Sequence, residues 1–173
     1  MMNTIGSRRF ARRASAGSVM LGLAVAGCTS LVPSALPAGS TLAQARSGVV
    51  APTGEYALPG GRTRLEFAQG SFGRETHMLD FDAAGRLVSK QQVLTAANFD
   101  TIEPGMPAAE VRLRLGRPAH VFNVGWQRLQ VWNYRFAGAD CVWFQVSIGQ
   151  TSQQVTEAGI GTDPACDGPN TRD

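Results

Sequence analysis

The sequence contains few of the residues on which enzyme chemistry depends. It has two histidines, His77 and His120, and three cysteines among its 173 residues. No Gly-x-Ser-x-Gly nucleophile motif, phosphate-binding loop or Cys-x-x-Cys pair is present. His77 alternates with Leu79 and Phe81, which predicts a partly buried strand position, and the second histidine falls in a predicted solvated loop. We therefore expect a non-enzymatic chain with no catalytic residue and no cofactor.

A metal site is also not expected. The stretch Asp80-x-Asp82-x-x-Gly85 resembles the opening of a calcium-binding loop, but Ala84 occupies the third ligand position. Gln91 stands where such a loop carries its bidentate glutamate. The stretch is instead predicted to form a tight hairpin turn in which the glycine supplies a positive φ.

The chain has no excess of positive charge once its first 27 residues are set aside. The whole sequence carries 16 basic and 13 acidic residues and has a pI near 9.1. Residues 1–27 hold four of the arginines and no acidic residue, which leaves 12 basic against 13 acidic residues, a net charge of −1. The basic balance therefore gives no support for nucleic-acid binding.

No hydrophobic run is long enough to cross a bilayer. The run over residues 14–26 has 13 residues, against the ~20 that a membrane-spanning helix needs. Four arginines precede it and small residues end it at Gly27, which is the pattern of a secretory signal peptide over residues 1–27. Cys28 directly follows the cleavage position, and this predicts attachment of acyl chains to its thiol.

The residues around this site also bear on location. Thr29 stands where an aspartate would favour retention in the inner membrane, so an outer-membrane lipoprotein facing the periplasm is predicted. The motif Ser7-Arg8-Arg9-Phe10 leaves twin-arginine export open as an alternative route. Residues 28–38 contain prolines, serines and alanines and are predicted to form a flexible tether.

Two cysteines remain in the predicted mature chain. In an oxidising periplasm, Cys141 and Cys166 are expected to form a disulfide that pins the polar tail, residues 161–173, to a strand. Such a bond closes a loop of roughly 25 residues and contributes about 3 kcal/mol. No histidine or basic cluster lies near either cysteine in the sequence, which argues against a reactive thiol.

An internal repeat organises the rest of the chain. A shift of 66 positions aligns residues 39–46 with residues 105–112 without a gap. We interpret residues 95–160 as the clearer copy and residues 39–94 as a degenerate first copy.

The second copy is predicted to be an ααβββ unit, and the first copy has good strands but a degraded helical part with no clear partner helix. One or two such units, with an antiparallel sheet, give a two-layer α+β fold. In the second copy, Thr95 caps a short helix, and Pro107 lies in the first turn of another. Gly116 is predicted to end this second helix in the left-handed conformation, with a positive φ. Antiparallel strands are predicted over residues 64–67, 76–82 and 86–93 in the first copy and over 130–136, 141–148 and 154–160 in the second. The helices are expected to cover the sheet face that carries Val142, Phe144, Val146 and Ile148.

The second copy resembles a known family of envelope proteins. The motif runs Phe99-x-x-Ile102-x-x-Gly105-Met106-x-x-x-x-Val111-x-x-x-Leu115-Gly116-x-Pro118 and is followed by Trp132-x-Tyr134. This pattern resembles the SmpA/OmlA (BamE-type) small outer-membrane lipoproteins, and a tandem copy resembles the architecture of β-lactamase inhibitor proteins. The resemblance implies an ααβββ fold and a non-enzymatic role in the β-barrel assembly machinery. The chain lacks the family's segment resembling Tyr-x-x-Asp-Ile-x-x-Gly-Asn.

The resemblance identifies eight residues as a signature of the fold. We interpret their role as helix capping or core packing rather than direct contact with a partner. They are Gly105, Met106, Val111, Leu115, Gly116, Pro118, Trp132 and Tyr134. The candidate interface residue is Trp143, on a sheet face expected to be uncovered, with Leu129 and Val131 as neighbours. Two functions stay open. The first is a lipid-anchored scaffold for envelope proteins, including the barrel-assembly machinery. The second is a periplasmic inhibitor or ligand-binding module in which both units form one broad sheet.

Overall fold

The computed structural model describes residues 35–137 and 141–166. The predicted signal peptide, Cys28 and most of the predicted tether lie outside these residues, as does the last part of the polar tail. Within them, no helix is both long and apolar enough to span a membrane. The regular structure is mainly antiparallel sheet with a few short helices, so the fold is mixed α+β.

Eight strands form two four-stranded sheets, and each sheet is an antiparallel meander. The first sheet contains β1 (Gly54–Leu58), β2 (Arg62–Ala68), β3 (Thr76–Phe81) and β4 (Leu87–Gln92). The second sheet contains β5 (His120–Val124), β6 (Leu129–Tyr134), β7 (Val142–Gly149) and β8 (Val155–Thr162). The α-helices of the described ranges are α1 (Leu42–Arg46), α2 (Ala96–Phe99) and α3 (Ala108–Leu115).

Two expectations are corrected by this topology. Each unit has four strands rather than three, because β1 and β5 are short strands that the alternation of side chains did not reveal. The first unit has one α-helix before its sheet, which agrees with the prediction of a degenerate first copy that has no clear partner helix. The idea of one broad sheet is wrong for the described residues, since their strands pair only within their own unit.

The two units share the same order of elements at the offset found in the sequence. Helix α1 begins at Leu42 and α3 at Ala108, while β1 begins at Gly54 and β5 at His120, so both pairs are 66 positions apart. Thr41 and Pro107, the residues directly before the two helices, are also 66 positions apart, and each forms an isolated β-bridge with a later residue of its own unit. Each unit is therefore a short helix followed by a four-stranded meander.

Helices α2 and α3 pack on one face of the second sheet, as expected. Phe144 and Ile148 of β7 are buried against Val111 and Leu115 of α3. Phe99 of α2 stacks on Phe144, with ring centroids 4.3 Å apart. The predicted cap of α2 is confirmed as well, because the Thr95 side chain accepts a hydrogen bond from the Asn98 backbone N–H.

Helix α1 covers the corresponding face of the first sheet. Its residue Ala45 packs in a buried cluster with Leu65 and Phe81. A capping box fixes its first turn: the Thr41 hydroxyl accepts from the Gln44 backbone N–H at 3.2 Å, and the Gln44 side-chain oxygen accepts from the Thr41 backbone N–H at 2.7 Å. Reciprocal bonds of this kind satisfy backbone donors that have no partner within the helix.

Helix α3 lies between the two sheets and joins the units. Its apolar side packs on the second sheet, and Met78 of the first sheet belongs to the same buried cluster. Arg64 Nη1 of β2 donates to the Leu113 carbonyl at 2.8 Å, while Nε and Nη2 bind the two carboxylate oxygens of Asp80 at 2.6 and 2.8 Å. The layers are therefore α1, the first sheet, α2 with α3, and the second sheet.

A buried carboxylate lies under the end of α3. Glu66 of β2 is fully buried and accepts hydrogen bonds from the Thr53 hydroxyl at 2.9 Å and from the Tyr56 hydroxyl at 2.5 Å. Burial, and then the hydrogen bond to Glu66, raise the pKa of Tyr56, so the phenol stays a donor at neutral pH. Hydroxyl donors thus satisfy a charge that would otherwise be costly to bury.

Gly116 ends α3 directly above this carboxylate. Its φ of 79° is positive, as predicted, but its ψ of −165° is extended rather than left-handed helical. A Cβ at this position would lie 2.9 Å from Thr76 Cγ2 and 3.0 Å from Glu66 Cδ. The Tyr134 hydroxyl donates to the Gly116 carbonyl at 3.1 Å. Both backbone conformation and close approach therefore require glycine.

We expect Gly116→Ala to destabilise the protein by about 3–4 kcal/mol, because it adds a steric clash to an unfavourable backbone conformation. Gly105→Ala is the matched control: φ is +86° there, but nothing lies within 4 Å of the position that a Cβ would take. Its expected cost is about 1–2 kcal/mol. Urea unfolding of both variants measures the difference, and equal costs would contradict the role of close approach.

Candidate functional site

The signature residues make contacts of capping and core packing. Five of them are buried, and these are Val111, Leu115, Gly116, Trp132 and Tyr134. Met106 packs partly against the same core. The Trp132 ring lies under the guanidinium of Arg112, whose Cζ is 4.6 Å from the ring centroid. Gly105 takes a positive φ just before α3, and Pro118, after α3, is partly buried.

Trp143 is not the exposed interface residue that the sequence predicted. Its side chain is only 2% exposed. The Arg135 guanidinium lies 5.3 Å from its ring centroid, and the Phe122 ring centroid lies 5.9 Å from it. The indole Nε1 has no hydrogen-bond partner among the described residues. Alternation placed this side chain on the side of β7 away from the helices, but it could not reveal that other side chains cover it.

The two histidines lie in different sheets. His120 was predicted in a solvated loop, but it is the partly buried first residue of β5, with its ring centroid 6.2 Å from those of Phe122 and Trp143. His77 is partly buried in β3, as predicted, and its Nε2 lies 3.0 Å from a Glu75 carboxylate oxygen. Each histidine therefore has its own surroundings, and the two do not form one site.

The predicted hairpin turn is confirmed at Asp82. Its carboxylate accepts from the backbone N–H groups of Ala84 at 3.0 Å and Arg86 at 2.8 Å, and Gly85 has a φ of 71°. The carboxylate thus serves the turn. Across the part of the chain that the structure describes, no group of three or more His, Cys, Asp or Glu side chains could hold a metal ion.

A buried ion pair lies at the end of β6. The Arg135 guanidinium binds the Asp163 carboxylate through Nε and, at 2.8 Å, through Nη2, while Nη1 donates to the Ser71 carbonyl. The guanidinium lies between the rings of Phe72 and Trp143, 5.1 and 5.3 Å from their centroids. Hydrogen bonding to Arg135 holds the pKa of Asp163 below its ordinary value near 3.8, although burial acts in the opposite direction.

The predicted disulfide between Cys141 and Cys166 is present, with the Cα atoms 5.3 Å apart. Asp163 lies inside the loop that it closes. The Asp163 backbone N–H donates to the Cys141 carbonyl at 2.9 Å, and the Cys166 N–H donates to the Asp163 carbonyl at 3.0 Å. The disulfide thus tethers the carboxylate that Arg135 binds.

The side of the second sheet away from α3 carries an apolar surface. We name it the open face and define it by the side chains that β5, β6 and β7 direct to that side: His120, Phe122, Val124, Leu129, Val131, Asn133, Trp143, Gln145 and Ser147. Phe122 is 45% exposed, and Trp126 on the adjoining turn is 84% exposed. Contiguous apolar surface of this kind is typical of protein-binding sites.

The open face is only partly filled by its own residues. Val124, Leu129 and Val131 are partly buried, and none of them belongs to the buried clusters found in the described ranges. At its centre, Gln145 Nε2 donates to Asn133 Oδ1 at 2.8 Å, so the polar groups there bond to each other. The surface that β5 and β6 offer to a partner is chiefly apolar, and Glu157 of β8, which pairs with Ser147, borders it with an exposed carboxylate.

Two concave regions lie elsewhere. A groove of about 440 Å³ between α2 and β8 is lined by side chains that include Phe99, Phe144 and Ile160. A cavity of about 100 Å³ lies between the units beside Glu75 and Arg117.

Sequence reasoning missed two parts of this site for different reasons. Phe122 and Val124 alternate just before Gly125, a weak strand signal that the preceding Pro118 led us to interpret as a loop. The ion pair between Arg135 and Asp163 joins residues 28 positions apart, and no local pattern marks such a pair.

Comparison of the chain with family models, curated proteins and solved structures finds no match in any of the three. The resemblance to the SmpA/OmlA lipoproteins therefore rests on the sequence between Phe99 and Phe136 and on the predicted lipidated start. The geometry of the open face is the remaining guide to function.

We expect Asp163→Asn to cost about 3 kcal/mol of stability at neutral pH, because it leaves the buried Arg135 charge without its carboxylate. The pKa of Asp163 is lowered in the folded state. Its contribution is therefore complete above the unfolded pKa of about 4 and is lost as the pH falls through the folded value. Urea unfolding at pH 7 and between pH 4 and pH 2 should show the two proteins converging in acid.

The control for this prediction is Glu157→Gln, which removes an exposed carboxylate from β8. Its stability should stay within about 0.5 kcal/mol of the parent at neutral pH. If Asp163→Asn behaves in the same way, the ion pair does not stabilise the fold.

Proposed function

We propose that the protein is a non-enzymatic lipoprotein of the outer membrane that binds other envelope proteins, as an accessory of outer-membrane β-barrel assembly. Two lines of sequence evidence support the location and the class: the signal-peptide pattern that ends before Cys28, and the motif that resembles the SmpA/OmlA lipoproteins. The open face is the observation that carries the binding function.

The argument from the open face is one of solvent exposure. Phe122, Val131 and the adjoining Trp126 expose apolar surface to water although the same strands bury Trp132 and Tyr134 on their other side. Covering apolar surface contributes roughly 25 cal/mol per Å², so a partner that covers this sheet gains affinity there. Aromatic residues at the centre of such a patch are the ones that typically dominate binding energy.

The alternative function, a periplasmic inhibitor or ligand-binding module, was based on one broad sheet built by both units. In the described residues the two units form separate sheets, so the structure does not support this argument for the alternative function. The open face still permits binding to an enzyme, and the identity of the captured protein separates the two functions.

We expect a photo-crosslinking amino acid at Val131, in the full chain in intact cells, to capture subunits of the barrel-assembly machinery from the outer-membrane fraction. The matched control is Val88, a valine on β4 that is 59% exposed. Capture should be roughly tenfold stronger from Val131, since a single specific interface favours one face. An unrelated periplasmic enzyme as the product would favour the inhibitor, and equal capture from both positions would contradict a role of the open face.

We expect Cys28→Ser to abolish acylation and to move the chain out of the membrane fraction. Acyl chains contribute about 0.8 kcal/mol for each buried methylene, so their loss removes the anchor. Labelling with a radioactive fatty acid and cell fractionation measure the two effects. The double variant Cys141→Ser, Cys166→Ser keeps Cys28 and should remain labelled; a labelled Cys28→Ser chain would contradict the predicted attachment site.

A further inference from the structure

The internal repeat gives the open face an equivalent inside the molecule. In the first unit Tyr56 pairs with Arg64, and in the second Phe122 pairs with Val131. The next pairs along the same face follow the same pattern, with Glu66 opposite Met78 and Asn133 opposite Gln145. The open face is therefore the second unit's version of the first-sheet face that carries Tyr56, Arg64, Glu66 and Met78.

That first-sheet face is closed by helix α3. Arg64 donates to the Leu113 carbonyl of α3 at 2.8 Å, and Glu66 lies against Gly116 at the end of the helix. Met78 joins the buried cluster that contains α3 residues. In the second unit, no α-helix of the described ranges follows β8, after which only the 3-10 turn Pro164–Cys166 is formed.

We propose that the open face binds an amphipathic helix of a partner protein, in the position that α3 occupies on the first sheet. This inference rests on the proposed protein-binding function and names the element that the partner contributes. A sheet face that is covered by a helix in one unit has the twist and spacing to accept one in its repeat.

The side chains of the open face define the chemistry of that helix. Where the first sheet has Arg64 and Tyr56, the open face has Val131 and Phe122. The charged Arg135 at its far end is already bound by Asp163. The partner helix is therefore expected to present uncharged apolar residues at positions i, i+3, i+4 and i+7, which is the spacing of helix-in-groove recognition.

A second copy of this chain does not fit the same position. Copies stacked in series would bring the outer side of α1 onto the open face. That side carries the exposed residues Gln44 and Arg46, and Arg46 is bound to Glu55 at 2.5 Å. Packing it on Phe122 and Val131 would bury a charge against apolar side chains, which is costly. Helix α1 therefore behaves as a polar cap at one end of the stack.

The test maps where the partner touches the open face. A photo-crosslinking amino acid is placed in turn at Phe122, Leu129 and Val131 of the full chain in intact cells, and the attached partner residues are identified by mass spectrometry. The expected result is a set of partner residues spaced three and four apart on one helix. A proline placed inside that helix of the partner should lower the yield from all three positions at least tenfold.

Matched variants separate binding from folding. Val131→Asp should lower the crosslink from Leu129 at least tenfold, whereas Val88→Asp on β4 should leave it unchanged. Thermal unfolding of both variants shows whether each is folded, and if Val131→Asp is unfolded, Val131→Thr serves in its place with an expected threefold loss.

The outcomes distinguish the helix from the proposed function. Helical spacing in any partner supports the inference, and if that partner lies outside the barrel-assembly machinery the assembly role fails alone. Partner residues spaced two apart would indicate that the partner binds as a strand. This result would contradict the proposal of a bound helix but not the proposed protein-binding function. Capture of a second copy of this chain, or no capture from any of the three positions, would also overturn it.

Discussion

The fold depends on one short helix that contacts two sheets at once. Helix α3 has eight residues, and it packs its apolar side on the second sheet while its backbone receives Arg64 from the first. This double contact explains why the helix must end abruptly at Gly116, where a side chain would enter the space of Glu66. The carboxylate of Glu66 is buried under the end of this helix, and the hydroxyls of Thr53 and Tyr56 in the first unit donate hydrogen bonds to it. The first unit has a buried cluster of its own under α1, and the second cluster joins the two units because it includes Met78 of the first sheet.

Much of the second unit could be predicted from the sequence. The cap at Thr95, the positive φ at Gly116, the buried face of β7 and the disulfide each follow from local chemistry or from spacing. The strands β1 and β5 could not be found in this way, because five residues give too little alternation to separate a strand from a loop. The burial of Trp143 also escaped prediction, since Arg135, Phe122 and His120 reach it from other strands. Long-range contacts of this kind leave no periodic trace in a sequence.

The repeat gives the molecule two unlike ends. At one end the short helix α1 covers the first sheet and turns Gln44 and Arg46 toward solvent. At the other end, the second sheet presents Phe122 and Val131 to solvent. The internal equivalence of the two sheets makes this difference meaningful, because the same face is covered in one unit and uncovered in the other. The two ends of the stack are therefore not equivalent: α1 covers the first sheet, whereas the open face of the second sheet is left for a binding partner to cover.

The ion pair between Arg135 and Asp163 has a consequence for the order in which the chain acquires its structure. Arg135 contacts Ser71 in the first unit, but it obtains its carboxylate and its disulfide-bonded neighbour only from residues 163–166. A chain that emerges with its N-terminus first delivers these residues after every strand of both sheets. Until then the Arg135 guanidinium lacks the carboxylate that it binds in the finished fold. The ion pair with Asp163 and the contact with Ser71 therefore form together only when both units are present. A chain truncated before residue 163 cannot form this ion pair.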